Sequence, residues 1–554
     1  MNRLTPPQMS ASASSHWDSE VRLLAWLAVC VSVFSFLFYF RRGDLLLYGD
    51  AIAHINIARR VFDSKTAGLL QLGTVWLPLP HLLMVPFLIS NEMWRRGVGG
   101  SIPSMAAYVC GVLGMFRLVR GALAGNGKAT GAARVAAWTA ALVYGANPNL
   151  IYMQTTAMGE ALYLAFFIWS VVYFSEFVRA DAKALTKCGL CLMAACLTRY
   201  DGWFLAATMM VGAVAVSLHF YRERTNGTLK LPTSSSRASR MAIMKFVLLA
   251  AAGPALWLAY NAAVYRNPLE FANGPYSAKA IERKTATVNP AKGNLYAAGS
   301  YFLKSAELNA AQQPWLGRLW LALAVAGGVA ILFTVEGAWP LLLFWLPLPF
   351  YALAVAYGAV PIFVPTWWPF SQYNVRYGLE LLPAFAAGSA ALVGLALKLY
   401  RPRDRLRMGA ALAVLGVAVA GYSSIWQADP ICYREAAVNM RRHLSLDQQL
   451  ANWLKALPPD ATLLMYLGEH VGAVQQAGIP LKRVINEGNH RVWKQPFDPD
   501  GLWERALANP AEFADYVVAF EGDTVWQAVQ GRQLQELVEV KVTGQPRAVL
   551  YRAR

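Results

Sequence analysis

The feature that most constrains this chain is a series of apolar stretches close to twenty residues long, separated by short polar segments. A helix needs about 20 apolar residues to cross the hydrocarbon of a bilayer. Such stretches occur at 21–40, 102–121, 134–153, 158–178, 184–201, 203–221, 242–264, 316–335, 338–358, 378–399 and 408–426. The pattern predicts a polytopic α-helical membrane protein with about 11 transmembrane helices, the first of them an uncleaved helix.

The charge balance agrees with a membrane protein. The 554 residues are 56% hydrophobic and 15% charged, with a net charge of +18. The basic residues cluster in the connections between apolar stretches, where membrane orientation and lipid phosphate explain them better than nucleic acid does. We therefore expect no nucleic-acid partner. Cys188 and Cys191 lie in an apolar helix without a second cysteine pair, which favours packing over metal binding.

Whether the stretch 76–90 crosses the membrane determines which loops face the cytoplasm. It is short and contains three prolines, which suits an interfacial or re-entrant segment. If it does not span, four basic connections share one side, which should be cytoplasmic: 117–134, 179–187, 222–245 and 401–407. The other face then receives the loops 41–101, 266–315 and 360–377. We expect the plasma (inner) membrane, with these loops extracytoplasmic.

The composition changes after residue 426. Residues 427–554 combine charged, helix-like segments with short apolar strands at 461–467, 516–520 and 538–542. Their number suits one small domain. We divide the chain into a transmembrane domain, 1–426, and a soluble extracytoplasmic α/β domain, 427–554.

Two acids stand at the extracytoplasmic ends of apolar stretches. Asp50 follows the first stretch and begins a helix-compatible run, and Glu160 opens a very apolar helix. An acid at a membrane boundary is costly unless it meets water, a cation or a substrate. Both residues have structural alternatives, because acids also cap helices and favour their N-termini. His54 follows Asp50 by four residues, and the two could hold a divalent cation or His54 could simply form an interfacial hydrogen bond.

Two arginines are expected at the same face. Arg199 lies between two stretches, and Arg376 precedes the tenth. Arginine suits bidentate contact with phosphate. The structural alternative for Arg199 is an ion pair with Asp201. Lys279 and Arg283 add positive charge to the loop 266–315.

The order of these motifs resembles that of GT-C glycosyltransferases, which are polytopic enzymes that use polyprenyl-phosphate-linked sugars. The resemblance is greatest to relatives of the protein O-mannosyltransferases and of the lipid A aminoarabinose transferase, and it covers roughly residues 20–400. The matching motifs are Tyr48-Gly49-Asp50, Ala58-Arg59-Arg60, Trp76-Leu77-Pro78-Leu79-Pro80-His81, Met158-Gly159-Glu160, the turn 197–203 and Asn374-Val375-Arg376-Tyr377.

The resemblance implies an inverting sugar transfer from a polyprenyl-phosphate donor to a glycan, lipid or protein acceptor. Asp50 and Glu160 would be the catalytic residues, Asp50 as the general base and Glu160 as the acid that holds the surroundings of Asp50, the sugar hydroxyls or a cation. The expected donor-phosphate and lipid contacts are Arg199, Arg376, Lys279 and Arg283. The expected substrate contacts are His54, Tyr200, Tyr373 and Asn374. The metal requirement is open, with Mg or Mn as the candidate cofactor. The alternative function is a transporter or lipid flippase that uses the same acids as ion or proton sites.

Overall fold

The computed structural model describes residues 18–124, 130–179, 181–225, 234–285, 288–334, 337–398, 405–489 and 499–554. The polar N-terminal segment 1–17 and parts of the four basic connections lie outside these residues.

Most of the described chain is helical. The α-helices are α1 (Ser19–Arg42), α2 (Gly49–Arg60), α3 (Leu79–Leu88), α4 (Asn91–Arg95), α5 (Val98–Ala124), α6 (Gly131–Gly145), α7 (Pro148–Met153), α8 (Glu160–Val178), α9 (Ala182–Cys196), α10 (Asp201–Thr225), α11 (Ser234–Tyr265), α12 (Glu270–Asn273), α13 (Ala278–Thr285), α14 (Leu295–Ala310), α15 (Pro314–Thr334), α16 (Pro347–Tyr357), α17 (Leu382–Lys398), α18 (Arg405–Gln427), α19 (Ile431–Leu454), α20 (Val471–Ala477), α21 (Leu502–Ala508), α22 (Pro510–Phe513) and α23 (Thr524–Val529). Short 3-10 helices lie at Asp44–Leu46, Leu69–Leu72, Trp339–Trp345, Val375–Leu381 and Leu481–Arg483.

Nine helical segments in the described part of the chain are long and apolar enough to cross a membrane. They are Ser19–Arg42, Val98–Ala124, Glu160–Val178, Asp201–Leu218, Arg240–Tyr265, Pro314–Phe333, Trp339–Tyr357, Val375–Lys398 and Leu406–Leu454, the last of which is apolar in α18. These segments confirm a polytopic integral membrane protein.

The predicted count of about 11 spans is not confirmed. The expected spans 134–153 and 184–201 correspond to α6 and α9, which are 15 residues long each. The stretch 76–90 forms α3, whose 10 residues extend only about 15 Å. This length is half of the hydrocarbon thickness, in agreement with a segment that does not span.

The centre of the bundle is the segment that contains α17. In its most apolar window 83% of the residues are buried, against 22% for Ser19–Arg42 and for Arg240–Tyr265. Gly327 of α15 and Gly388 of α17 face each other so closely that a Cβ on either would overlap the backbone of the opposite helix. Small residues of this kind let membrane helices approach closely.

The C-terminal part contains one mixed five-stranded sheet in the order β2-β1-β3-β5-β4. Its strands are β1 (Leu463–Met465), β2 (Val484–Ile485), β3 (Tyr516–Phe520), β4 (Gln535–Val540) and β5 (Ala548–Arg552). β1 is parallel to β2 and β3, whereas β5 is antiparallel to β3 and β4. The predicted α/β domain is therefore confirmed, and the three expected strands correspond to β1, β3 and β4 within three residues, whereas β2 and β5 were not predicted.

The C-terminal domain packs on α2, the helix that follows the first span. Asn56 of α2 donates a 2.6 Å hydrogen bond to Gln475 of α20 and accepts one of 3.0 Å from the indole of Trp94. Gln475 in turn donates to the backbone carbonyl of Trp94 at 2.8 Å. All three side chains are buried. The helix α2, which carries Asp50 in its first turn, is thus held between the membrane bundle and the soluble domain.

Candidate active site

The position of Arg376 depends on a turn in front of the most buried span. Asn374 has a left-handed backbone with φ of 57°, and its side chain donates a 2.8 Å hydrogen bond to the carbonyl of Pro361. Asparagine tolerates this conformation better than most residues. The 3-10 helix Val375–Leu381 starts directly after it and carries Arg376 into the bundle.

Each nitrogen of the Arg376 guanidinium binds a different carboxylate. Nε donates to Glu160 at 3.1 Å, Nη1 to Glu435 at 2.9 Å and Nη2 to Asp50 at 2.7 Å. Glu435 also accepts a 2.6 Å hydrogen bond from the backbone amide of Val375. One arginine therefore joins α2, α8 and α19.

Arg199 connects a second set of acids to the same glutamate. Its Nη1 lies 3.3 Å from Glu160, and its Nε lies 3.2 Å from both Asp201 and Glu380. Its Nη2 donates to the hydroxyl of Tyr351 at 2.7 Å. We call the two arginines and their five acids the carboxylate network: Arg199, Arg376, Asp50, Glu160, Asp201, Glu380 and Glu435.

The accessible member of the network is Asp50. Its side chain is 40% exposed, whereas those of the other four acids are at most 4% exposed. Three buried carboxylate oxygens have no hydrogen-bond partner, those of Glu160 Oε2, Asp201 Oδ1 and Glu380 Oε2. Five acids surround two guanidinium groups, and this surplus of acidic groups favours the approach of a proton or cation. The geometry leaves Asp50 as the acid that a substrate can touch.

His54 lies one helical turn after Asp50 and pairs with another histidine. Its Nδ1 is 2.8 Å from Nε2 of His81, and its ring lies 4.8 Å from that of Trp76. Burial lowers the pKa of His54 and holds the pKa of His81 well below its ordinary value. This pair connects α2 to α3, so Nδ1 of His54 is already engaged in a contact within the protein.

Three predicted substrate contacts lie in different environments. The Tyr200 hydroxyl donates to the carbonyl of Val75 at 2.8 Å, and its ring stacks on Phe271. Tyr373 is 47% exposed beside Asn374, whose side-chain amide is engaged with the carbonyl of Pro361. Of these three, Tyr373 offers the most accessible surface, and all three assignments stay predictions.

Lys279 and Arg283 are separate from the network and line a cavity of about 380 Å³. Both side chains are exposed, and neither forms an ion pair with a carboxylate among the residues that the structure describes. Lys292 on the same wall, in contrast, pairs with Glu282 at 2.9 Å. The opposite wall includes Val355 of α16. Tyr351 of the same helix contacts the network and precedes Val355 by about one turn, or 6 Å.

The sequence-based site is thus divided between two places. Asp50, Glu160, Arg199 and Arg376 meet in the network, and the alternative pairing of Arg199 with Asp201 is present. Lys279 and Arg283 line the cavity. The sequence reasoning missed Glu380, Glu435, Tyr351 and His81. Glu380 carried the same signal as Glu160, an acid at the start of an apolar span, whereas no local signal identified Glu435.

Similarity to known proteins is structural. No protein-family model matches the chain, and no curated protein sequence matches it either. The structure of ArnT from Cupriavidus metallidurans bound to undecaprenyl phosphate is similar with a TM-score of 0.56 and 14% identity, over 97% of this chain and 98% of that one. The apo ArnT structure gives 0.54 and 13% over the same shares.

An oligosaccharyltransferase from Archaeoglobus fulgidus, tethered to an acceptor peptide, aligns with a TM-score of 0.41 and 11% identity, over 92% of this chain and 70% of that one. This likeness is too weak to bear on the fold. The similarity to ArnT spans both the membrane bundle and the C-terminal domain. The chain therefore shares the fold of the two ArnT structures, which confirms the fold expected from the resemblance.

Proposed function

We propose that this protein is an integral-membrane glycosyltransferase that moves a sugar from a polyprenyl-phosphate donor to an acceptor, with inversion at the anomeric carbon. The observation that carries the proposal is the position of Asp50, the exposed carboxylate of an otherwise buried network. The bound undecaprenyl phosphate in the similar ArnT structure supports a lipid-phosphate donor. The acceptor is a hydroxyl-bearing glycan, lipid or protein.

In the proposed reaction Asp50 accepts the proton of the acceptor hydroxyl. The acceptor oxygen forms a bond to the anomeric carbon from the face opposite the phosphate. The bond between that carbon and the phosphate oxygen breaks, and its electron pair leaves with the lipid phosphate. Arg376 orients Asp50 through the 2.7 Å hydrogen bond, and Glu160 and Glu435 hold Arg376 from behind.

We assign the first contact with the donor phosphate to Lys279 and Arg283. Both are cationic and exposed to the cavity. Arg199 and Arg376 are 18% and 8% exposed and already bind carboxylates. Their proposed contact with phosphate requires sharing a guanidinium between the leaving group and an acid. Fixed cations beside a poorly hydrated leaving group stabilise its growing charge.

The proposed mechanism contains no metal step. Asp50 and His54 offer two ligand groups, and the described residues around them do not form a set of three possible ligands at coordinating distance. Mg or Mn therefore stays a candidate cofactor whose requirement a chelator titration would test. The charge bias of the connections supports a site at the extracytoplasmic face of the plasma (inner) membrane.

The deciding experiment is sugar transfer in purified membranes, which contain the candidate acceptors, supplied with a panel of radiolabelled polyprenyl-phosphate sugars. Wild-type protein should transfer one of these sugars, and the Asp50→Asn variant should not. Glu92→Gln, which changes an exposed acid in the same loop, is the matched control and should retain transfer. Flux of lipid or solute without turnover of any donor would instead support a transporter or flippase.

A further inference from the structure

A second cluster of ionisable side chains lies where α19 meets the C-terminal domain. His443 and Asp447 are four residues apart and share one face of α19, and His470 directly precedes α20. One nitrogen or oxygen from each of the three lies within 4.8 Å of the others. Among the residues that the structure describes, this is the one group of three histidine, cysteine or acidic side chains with that spacing.

Two of the three members, Asp447 and His470, are buried, and polar atoms on both lack hydrogen-bond partners. Asp447 is 0% exposed, and neither of its carboxylate oxygens has a hydrogen-bond partner. His470 is 3% exposed, and its Nδ1 also has no partner. Buried polar groups are nearly always paired, and an unpaired buried carboxylate destabilises the folded state. The arrangement calls for a positively charged group between these atoms.

The separations suit a shared ion better than hydrogen bonds. His443 Nε2 lies 3.7 Å from one oxygen of Asp447, and His470 Nδ1 lies 3.7 Å from the other. Both distances exceed the normal hydrogen-bond range. Ligand atoms about 2.0 Å from a tetrahedral zinc ion lie about 3.3 Å from one another, so small side-chain movements would complete the geometry.

The chemical nature of the three ligand side chains indicates which class of metal ion they would bind. Two imidazoles and one carboxylate suit zinc and the other late first-row divalent ions, whereas magnesium and calcium prefer oxygen ligands. His443 Nε2 also lies 2.8 Å from the backbone carbonyl of Glu469, a contact that a bound ion would replace. We propose that His443, Asp447 and His470 bind a zinc-class divalent ion that fastens the C-terminal domain to α19.

The proposed ion is structural, and its effect reaches the network through two helices. A Cβ on Gly472 would overlap Asp447, so the first turn of α20 lies directly against the site. Gln475 of α20 then binds Asn56 of α2. At the other end of α19, Glu435 holds Arg376 about 18 Å from Asp447 along the helix axis. The ion would keep both helices in register without touching a substrate.

The first test uses unmodified protein and no activity assay. Full-length protein, purified in detergent without chelator, should contain about one equivalent of zinc by elemental analysis. Protein stripped with a chelator should regain one equivalent when titrated with Zn²⁺, and its thermal unfolding midpoint should rise. Co²⁺ in place of Zn²⁺ should give the visible absorption of a tetrahedral nitrogen and oxygen site. Stripped wild-type protein that takes up neither ion would overturn the proposal.

Variants then locate the ion. Asp447→Asn and His470→Gln should lower Zn²⁺ affinity by about tenfold or more. Asp460→Asn, an exposed acid in the same domain, is the matched control and should bind as wild type does. Asp50→Asn should also keep its equivalent of zinc. If Asp50→Asn lost its zinc and Asp447→Asn retained it, the ion would belong to the carboxylate network, and the proposed site would be refuted.

Discussion

Nη2 of Arg376 donates a 2.7 Å hydrogen bond to Oδ2 of Asp50 across 326 positions of sequence. The same guanidinium is held by Glu160 and Glu435, which are almost fully buried. The exposed Asp50 is therefore oriented by Arg376, and two buried acids, Glu160 and Glu435, hold Arg376 in place. Because of this division, substitutions at Asp50 should change the chemistry, whereas substitutions behind it should change the stability of the site.

Replacing Asp50 with asparagine should remove the proposed base and preserve the fold. Asparagine has nearly the same volume, and its carbonyl oxygen can still accept from Arg376. We expect kcat for sugar transfer to fall by about 10² to 10⁴. The free energy of unfolding should change by about 0.5 kcal/mol or less, since the side chain is 40% exposed. A transfer rate within threefold of the Glu92→Gln control would reject the assignment of Asp50 as base.

Replacing Arg376 with lysine should destabilise the protein. A single ammonium group cannot serve three carboxylates in three directions. Breaking buried ion pairs in this way costs about 3 to 5 kcal/mol, measurable as a lower thermal unfolding midpoint in detergent. Arg96→Lys is a matched control, because Arg96 is 53% exposed and pairs with an exposed acid. Equal midpoints for the two variants would show that the network does not stabilise the fold.

Neutralising the cavity should weaken donor binding with little effect on the chemical step. In a Lys279→Gln and Arg283→Gln double variant we expect KM for the lipid-linked donor to rise about tenfold and kcat to change little. Lys284→Gln is the matched control, because Lys284 is exposed and does not line the cavity. Initial rates measured over a range of donor concentrations separate the two constants. An equal rise in KM for the control would show that the effect comes from general surface charge and not from the cavity.

Acidification should loosen the contact between α2 and α3. The folded-state pKa values of His54 and His81 lie below the ordinary value of 6.5 because both rings are buried. Protonation therefore favours the unfolded state, so their contribution is present above about pH 6.5 and is lost as pH falls below it. The thermal unfolding midpoint should decline from pH 7 to pH 5, and the decline should be shallower in His81→Gln. A parallel decline in both proteins would exclude this pair as its source.

The local sequence determined the membrane architecture and much of one site. Hydrophobic length is a property of consecutive residues, so the apolar runs identified a polytopic bundle, and the prolines of 76–90 marked the short α3. The acids and arginines at span ends were recognisable because charge at a membrane boundary is costly. Asp50, Glu160, Arg199 and Arg376 do meet in the structure.

Tertiary structure decided which partners these residues have. Glu435 was assigned to the soluble domain by composition, yet the start of α19 carries it to Arg376. His470 and His443 meet across Asp447 only because α20 folds back against α19. Span length and charge bias place a side chain near one end of a bundle, but an ion pair or a metal site requires contacts between distant segments. Those contacts depend on helix packing and on the docking of the C-terminal domain, which no local pattern in the chain encodes.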